Sequence, residues 1–162
     1  MKLIETRLAG AYIIDLEQKA DDRGFFAREF CVNELAAYGL RTEVVQCNLS
    51  FNHKAGTLRG MHYQTAPDTE TKLIRCTQGA IYDVIVDLRP NSPTYMEHVG
   101  VELSAANRRS LYVPEMFAHG YQTLTDNAEV IYKVSAFYAP QSERGLHHRD
   151  PALGIQWPLA VS

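Results

Sequence analysis

The sequence has little cysteine: its 162 residues contain only Cys31, Cys47 and Cys76. Three widely spaced cysteines without a C-x-x-C pair or a Cys/His cluster at zinc spacing argue against a disulfide framework and against a structural zinc site. Isolated cysteines of this kind are typical of small buried residues in a reducing compartment. We therefore expect a cytoplasmic protein.

Long hydrophobic runs and an excess of one charge are also missing. The opening "MKLIETRLAG" is interrupted by Glu5 and Arg7, which argues against a signal peptide, and no later segment is apolar for long enough to cross a bilayer. The net charge of -3 gives no basic surface for nucleic acid or acidic membranes. We expect neither a nucleic-acid nor a membrane partner.

Helix-forming segments are scarce as well, and short β-rich runs fill most of the chain. "VNELAAYGL", from Val32 to Leu40, is the one convincing short helix, with Asn33 as a possible N-cap. Eight runs such as "EVVQCNLSF" and "EVIYKVSAFY" are separated by turn residues, which is typical of an antiparallel sandwich or small barrel. The chain has the length of one domain, residues 1–162.

The run "AIYDVIVDL" places two carboxylates on one face of a strand. Strict alternation puts Asp83 and Asp87 together with Ile81 and Ile85, opposite a face of tyrosine, valine and leucine. For an edge strand we expect the aspartate face to be solvated. In a closed barrel, an inward aspartate would instead need a partner, and a histidine would serve.

The histidines only partly match the pattern of a metal-binding barrel of the cupin type. That pattern needs H-x-H, where this chain has His62-Tyr63-Gln64, although Pro114 stands five residues before His119 as in the second cupin motif. Because the second histidine is replaced by Gln64, a tight divalent site would lack a ligand. We therefore favour a site without metal.

Histidines without a metal can still catalyse proton transfer in the mouth of a barrel. A histidine base, Lys72 beside an oxyanion and Tyr132 as acid would suit proton abstraction next to a carbonyl, and arginine side chains would suit a diphosphate. Each residue also has a plainer interpretation: Tyr132 as a core residue, Lys72 as a strand end, His119 as a buried histidine bonded to backbone.

Six segments together resemble one known family. "DDRGFFAREF", "QCNLSFNHKAGTLRGMHYQ", "TKLIRCTQGAIYDVIVDLRPNSPTY", "LYVPEMFAHGYQTL", "VIYKVSAFYAP" and "DPALGIQWP" are similar, in order and spacing, to the dTDP-4-dehydrorhamnose 3,5-epimerases. The resemblance implies an all-β, cupin-like jelly-roll barrel with one or two short helices, and no metal or organic cofactor. It implies a homodimer with exchanged N-terminal strands, for which "AYIIDL" would be a suitable edge. It also implies epimerisation of a nucleotide-linked 4-keto-6-deoxy sugar, in deoxysugar biosynthesis of the dTDP-L-rhamnose type.

The resemblance also assigns roles to individual residues. It implies that His62 is the base, Tyr132 the acid and Lys72 the group near the keto oxygen, with Asp83 and His119 as a second pair in the pocket. The implied substrate-binding residues are Arg23, Gln46, Asn48, Arg59, Tyr138 and Glu143, with Tyr138 stacked on the nucleotide base.

The C-terminus departs from the family pattern, and this leaves alternatives open. After "IQWP", family members usually continue to an aspartate that bonds the catalytic histidine, whereas this chain stops at Ser162. We expect Asp83 or a backbone group to orient His62 instead. The alternatives are an epimerase acting at one carbon only, a weakly active or non-catalytic homologue that binds sugar nucleotides, and a metal-dependent cupin enzyme.

The stretch "GTLRGMHYQ" raises a question of register. Strict alternation would place Arg59 and His62 on opposite faces of their strand, whereas the resemblance implies that both belong to one pocket. Gly60 lies between them and is a natural bulge residue. A bulge at Gly60 would reset the register and bring both into one pocket, whereas with regular pairing one of the two would not belong to the site.

Overall fold

The computed structural model describes all 162 residues, and two antiparallel sheets dominate it. One sheet has six strands in the order β1-β2-β10-β7-β12-β5, and the other has five in the order β13-β6-β11-β8-β9. The strands are β1 (Lys2–Glu5), β2 (Tyr12–Asp15), β3 (Lys19–Asp21), β4 (Gly24–Phe26), β5 (Gln46–Asn52), β6 (Leu58–Gln64), β7 (Lys72–Gln78), β8 (Ala80–Asp87), β9 (His98–Ser104), β10 (Ser110–Val113), β11 (Phe117–Thr123), β12 (Ala128–Val134) and β13 (Glu143–Gly145). The all-β, jelly-roll architecture predicted from the sequence is confirmed.

The main core lies between the two sheets. Alternate residues of the facing strands meet there, and burying such apolar side chains stabilises the fold by about 25 cal/mol per Å². The buried members of this cluster include Ile74 and Cys76 on β7, Ile81 and Ile85 on β8, and Val130 on β12. Burial raises the pKa of the Cys76 thiol to about 11, so this cysteine is a packing residue.

The expectation of a solvated aspartate face on β8 was wrong. β8 lies between β11 and β9 inside the five-stranded sheet, so it is not an edge strand. Asp83 and Asp87 are buried on its inner face, while Val84 and Val86 are buried on the outer face beneath Leu153 and its neighbours. Each aspartate therefore needs a partner, and each has one.

Asp87 is held by a local cluster at the end of β8. It accepts hydrogen bonds from Arg89, from the hydroxyl of Ser92 at 2.5 Å and from that of Thr94 at 2.7 Å. Burial by itself would raise the pKa of Asp87, but these hydrogen bonds outweigh burial and lower it well below its usual range. This aspartate therefore fixes the loop that follows the strand.

Helix is limited to α1 (Val32–Ala36), shorter than the nine residues predicted. Its N-cap is Cys31, which makes no side-chain cap, and Asn33 lies inside the helix. Leu35 packs on Ile14 and Leu73 on the outer face of the six-stranded sheet, which explains where the helix sits. No helix of the chain combines the length and apolarity needed to span a bilayer.

The N-terminal strands differ from expectation in one respect. β2, the strand of "AYIIDL", is paired on both sides, with β1 and with β10, and is not a free edge. The segment that stands apart is the hairpin of β3 and β4, which forms its own two-stranded sheet. At its end, the side chain of Phe26 is 67% exposed.

Candidate active site

A pocket of about 520 Å³ opens between the sheets. Its wall on one side comes from β5, β7 and β12, and on the other from β6 and β11, with the segment around β13 at the rim. This volume lies within the range of small-ligand sites. All the site residues predicted from the sequence line it except Asp83 and Arg23; they are Gln46, Asn48, Arg59, His62, Lys72, His119, Tyr132, Tyr138 and Glu143.

A bulge is present at Gly60. His119 pairs with His62 and Tyr121 pairs with Arg59, so three steps on β6 face two on β11. The φ of Gly60 is +113°, and a Cβ at this position would lie 2.5 Å from the Cα of Gly120. Only glycine fits here, and the extra residue turns both Arg59 and His62 into the pocket.

Asp83 lies behind the pocket wall and bonds His119. Nε2 of His119 lies 2.5 Å from Oδ1 of Asp83, and the aspartate is fully buried. A buried carboxylate in this position fixes the orientation of the imidazole. Because Asp83 is bonded to His119, the expectation that it orients His62 was wrong.

The carboxylate beside His62 is that of Glu143. The strand β13 pairs with β6, with Gly145 opposite His62, and this brings Oε1 of Glu143 to 3.3 Å from Nδ1 of His62. The His62 side chain is 57% exposed toward the pocket mouth. An imidazole in this setting can accept a proton from a bound molecule.

Tyr132 faces His62 from the opposite sheet. Its hydroxyl makes no hydrogen bond within the protein and is free to meet a ligand in the pocket. Burial, followed by the nearby Tyr121 and the carboxylate of Glu70, raises the pKa of Tyr132, although Arg59 acts in the other direction. The phenol is therefore protonated at neutral pH and suited to donate a proton.

Lys72 is paired with Glu70 inside the pocket. Its Nζ lies 2.6 Å from Oε1 of Glu70, and both side chains are mostly buried. Glu70 thus fixes the lysine in place and shares its charge.

Arg59 is held by a polar chain that runs along the pocket wall. Its Nε donates to Oδ1 of Asn52 at 2.6 Å, the amide of Asn52 donates to the hydroxyl of Tyr121 at 3.2 Å, and that hydroxyl lies 2.9 Å from Oγ of Ser50. These contacts limit the rotation of the guanidinium, which keeps its other nitrogens available for an anion.

Seven residues that line the pocket were not among the predicted site residues, namely Ser50, Gly60, Tyr63, Gln64, Glu70, Tyr121 and Val134. Glu70, Tyr121 and Ser50 each stand two positions from a predicted site residue, namely Lys72, His119 and Asn48. Side chains two apart on a strand share a face. This parity is the signal that could have identified Tyr121 and Ser50, whereas Glu70 precedes β7, which begins at Lys72.

Gln64 is engaged with backbone groups. Its carbonyl accepts from the N–H of Ala139 at 2.7 Å, and its amide donates to the carbonyls of Asp68 and Phe137 at 2.8 and 3.3 Å. The residue that replaces the second histidine of H-x-H thus fastens loops at the rim. No group of three or more His, Cys, Asp or Glu side chains in the chain is arranged to hold a metal ion.

Arg23 is the predicted substrate-binding residue that the structure places outside the pocket of its own chain. It lies in the turn of the β3–β4 hairpin, where its side chain is 89% exposed and its Nη2 lies 2.6 Å from Oδ2 of Asp21. Its role in substrate binding stays a prediction.

Comparisons with known proteins give a consistent result. The model of the dTDP-4-dehydrorhamnose 3,5-epimerase family matches residues 5–162. A dTDP-4-dehydrorhamnose 3,5-epimerase of Shigella flexneri is 43% identical over 160 residues, which cover 98% of this chain and 88% of that protein.

Solved structures share the fold over nearly the whole chain. The enzyme of Bacillus anthracis, crystallised with TDP and pyrophosphate bound, superposes with a TM-score of 0.94 at 43% identity, covering 99% of this chain and 94% of the other. The enzyme of Legionella pneumophila, in complex with dTDP-4-keto-L-rhamnose, gives a TM-score of 0.92 at 38% identity and covers 99% and 86%.

Proposed function

Because the chain belongs to the dTDP-4-dehydrorhamnose 3,5-epimerase family, we propose that it epimerises a nucleotide-linked 4-keto-6-deoxy sugar at C3, C5 or both. The observation that carries this proposal is the placement of His62 and Tyr132 in one pocket on strands of opposite sheets. A sugar ring between the sheets would then present one face to a base and the other to an acid. Inversion of a carbon centre requires this arrangement.

The chemistry of the substrate agrees with these side chains. A ketone at C4 makes the protons on C3 and C5 acidic, because their removal gives an enolate. In the proposed reaction Nε2 of His62 takes the proton from carbon, and the electrons of the C–H bond move onto the keto oxygen. Lys72 stabilises the negative charge there, a contribution of about 2.7–4 kcal/mol for one donor in comparable sites. Tyr132 then gives a proton to the opposite face of the carbon.

The nucleotide end of the substrate fits the pocket rim. Tyr138 is exposed there and offers a ring on which a base can stack, while Arg59 offers a planar fork suited to a diphosphate. Gln46 and Asn48 add polar groups on β5. These features support a sugar nucleotide as the ligand and leave the choice of base open.

Proton exchange with solvent tests the proposal directly. The protein is incubated in D₂O with dTDP-4-keto-6-deoxyglucose, and NMR follows deuterium at C3 and C5. We expect incorporation by the unaltered protein, none by His62→Asn, and unchanged exchange by His98→Asn, a control on β9 outside the pocket. His62→Asn should still bind dTDP, because the rim is intact.

Each of the other possible results would support one of the alternative functions. Exchange at one carbon alone would indicate a single-carbon epimerase, and binding of dTDP without exchange would indicate a non-catalytic homologue. Stoichiometric metal whose removal stops exchange would indicate a metal-dependent cupin enzyme.

We also propose that the protein works as a homodimer. Arg23 belongs to the expected binding set but lies on a projecting hairpin, which suggests that it reaches the pocket of a second copy. An apolar face on β5, formed by Cys47, Leu49 and Phe51, points away from the core and could pack against that copy.

The cytoplasm remains the compartment we propose. Cys31, Cys47 and Cys76 are all unpaired, and Cys47 is exposed, a state that a reducing environment preserves.

A further inference from the structure

One carboxylate joins two residues that the proposed function uses for different purposes. Glu143 approaches Nδ1 of His62 through Oε1 at 3.3 Å. Its other oxygen, Oε2, accepts a hydrogen bond of 2.7 Å from the hydroxyl of Tyr138. No other carboxylate of these 162 residues lies within 4 Å of a ring nitrogen of His62.

The strand pairing holds this arrangement in place. Glu143 is opposite Gln64 on β6, and the N–H groups of Glu143 and Ser142 bond to the carbonyl of Ala139. Tyr138 is fixed in turn by its backbone N–H, which donates to Oε1 of Gln46 at 2.9 Å. The hydrogen bond to Glu143 raises the pKa of Tyr138, so its phenol remains a donor to the carboxylate.

A carboxylate next to Nδ1 of His62 determines whether the other ring nitrogen, Nε2, is free to accept a proton. A neutral imidazole carries its proton on one nitrogen only, and an acceptor at Nδ1 holds the proton there. Nε2 then keeps its lone pair for a proton on carbon. After that transfer both nitrogens carry protons, and the negative carboxylate stabilises the positive ring.

We propose that Glu143 is the positioning residue of His62, selecting the Nδ1–H tautomer and stabilising the imidazolium, and that this is its main role in place of the expected substrate contact. This inference rests on the proposed function, because it treats His62 as the base. Tyr138 shares the carboxylate, so it holds Glu143 in place at the edge of the nucleotide site.

Glu143→Gln tests the role with little change in shape. The amide oxygen can still accept from Tyr138, but it has no charge to offer an imidazolium. We expect kcat to fall about 10- to 100-fold, as for other partners that orient a catalytic or ligating histidine, with KM changed less than threefold. The matched control is Glu102→Gln, on β9, whose side chain is exposed and makes no hydrogen bond or ion pair; it should leave both constants unchanged.

A second measurement needs no substrate. Long-range ¹H–¹⁵N NMR of the His62 ring in the free protein reports which nitrogen carries the proton. We expect the Nδ1–H form to dominate in the unaltered protein and the Nε2–H form, which an unconstrained imidazole favours, to gain in Glu143→Gln. Glu143→Asp keeps the charge on a shorter side chain, so its population of the Nδ1–H form should lie between those of the unaltered protein and Glu143→Gln. This second variant keeps the test valid if Glu143→Gln fails to fold.

The outcomes separate the two proposals. A rise in KM with kcat unchanged would show that Glu143 contacts substrate only, and an unchanged tautomer in Glu143→Gln would overturn the positioning role. Absence of deuterium exchange in the unaltered protein would overturn the proposed function instead, while the tautomer measurement would still decide whether Glu143 positions His62.

Discussion

At the scale of single residues, a variant of Tyr132 can separate removal of the proton from carbon and its return to the opposite face. The hydroxyl of Tyr132 is without a partner in the protein and its pKa is raised by burial first. Tyr132→Phe removes the acid and leaves His62 in place. We expect deuterium exchange at carbon to continue, because His62 still forms the enolate and can return a deuteron to the same face. Formation of the inverted product should fall about 10²- to 10⁴-fold.

The measurement is the ratio of exchanged substrate to epimerised product by NMR in D₂O. Tyr82→Phe is the matched control, since Tyr82 packs against Trp157 on the outer face of the five-stranded sheet. Equal losses of exchange and inversion in Tyr132→Phe would contradict the separate roles of base and acid.

The resemblance predicted which residues lie together better than it predicted their contacts. The resemblance identified nine residues that the structure places in one pocket, including His62, Lys72 and Tyr132. It did not indicate that Arg23 projects from the body of its own chain, because a motif does not show whether a hairpin folds back. It could not indicate the contact of Glu143 with His62 either, since that contact depends on how β13 pairs with β6.

At the scale of elements, the bulge in β6 is the feature on which the site depends. Gly60→Ala combines a strained positive φ with a clash against the backbone of β11, where the added Cβ would lie 2.5 Å from the Cα of Gly120. We expect the free energy of unfolding to fall by about 3 kcal/mol or more. If the protein relaxes by shifting β6, Arg59 or His62 leaves the pocket, and exchange activity is lost as well.

The variant Gly39→Ala is the control for Gly60→Ala, because it introduces backbone strain without a steric clash. Gly39 also has a positive φ, +71°, but a Cβ there meets nothing within 4 Å. We expect it to cost about 1–2 kcal/mol, the strain of a left-handed residue alone. Urea unfolding of both variants gives the comparison, and equal losses would contradict the close approach of β6 and β11.

Element-level prediction failed most clearly at β8, and the reason is topological. The alternation in "AIYDVIVDL" is a local signal, whereas burial of both faces follows from neighbours far along the chain: β11 and β9 beside it, the six-stranded sheet on one face and the C-terminal segment on the other. The strand itself was found, as was its need for a histidine partner if Asp83 pointed inward.

At the scale of the whole molecule, the outer face of β5 bears on the assembly. Leu49 is 61% exposed at its centre. Leu49→Lys would place a charge in an interface of two copies, so we expect light scattering to change from twice the chain mass of 18.3 kDa to that mass. Tyr95→Lys, an exposed aromatic position in the loop after β8, is the control and should leave the mass unchanged. A monomer in the unaltered protein would contradict the homodimer.

Exchange of the hairpin makes a further prediction, because it divides each pocket between two chains. Arg23→Ala and His62→Asn should each be inactive as homodimers. In a mixed dimer, the Arg23→Ala chain keeps its own His62 and would receive Arg23 from the other chain, which restores one complete pocket. With random pairing, half of the dimers are mixed and each has one working site of two, so activity should return to about one quarter of the unaltered level. The two chains are unfolded together, refolded and assayed by deuterium exchange, with each variant refolded alone as the control. If Arg23 served the pocket of its own chain, the mixture would stay inactive, because every pocket would lack one of the two residues.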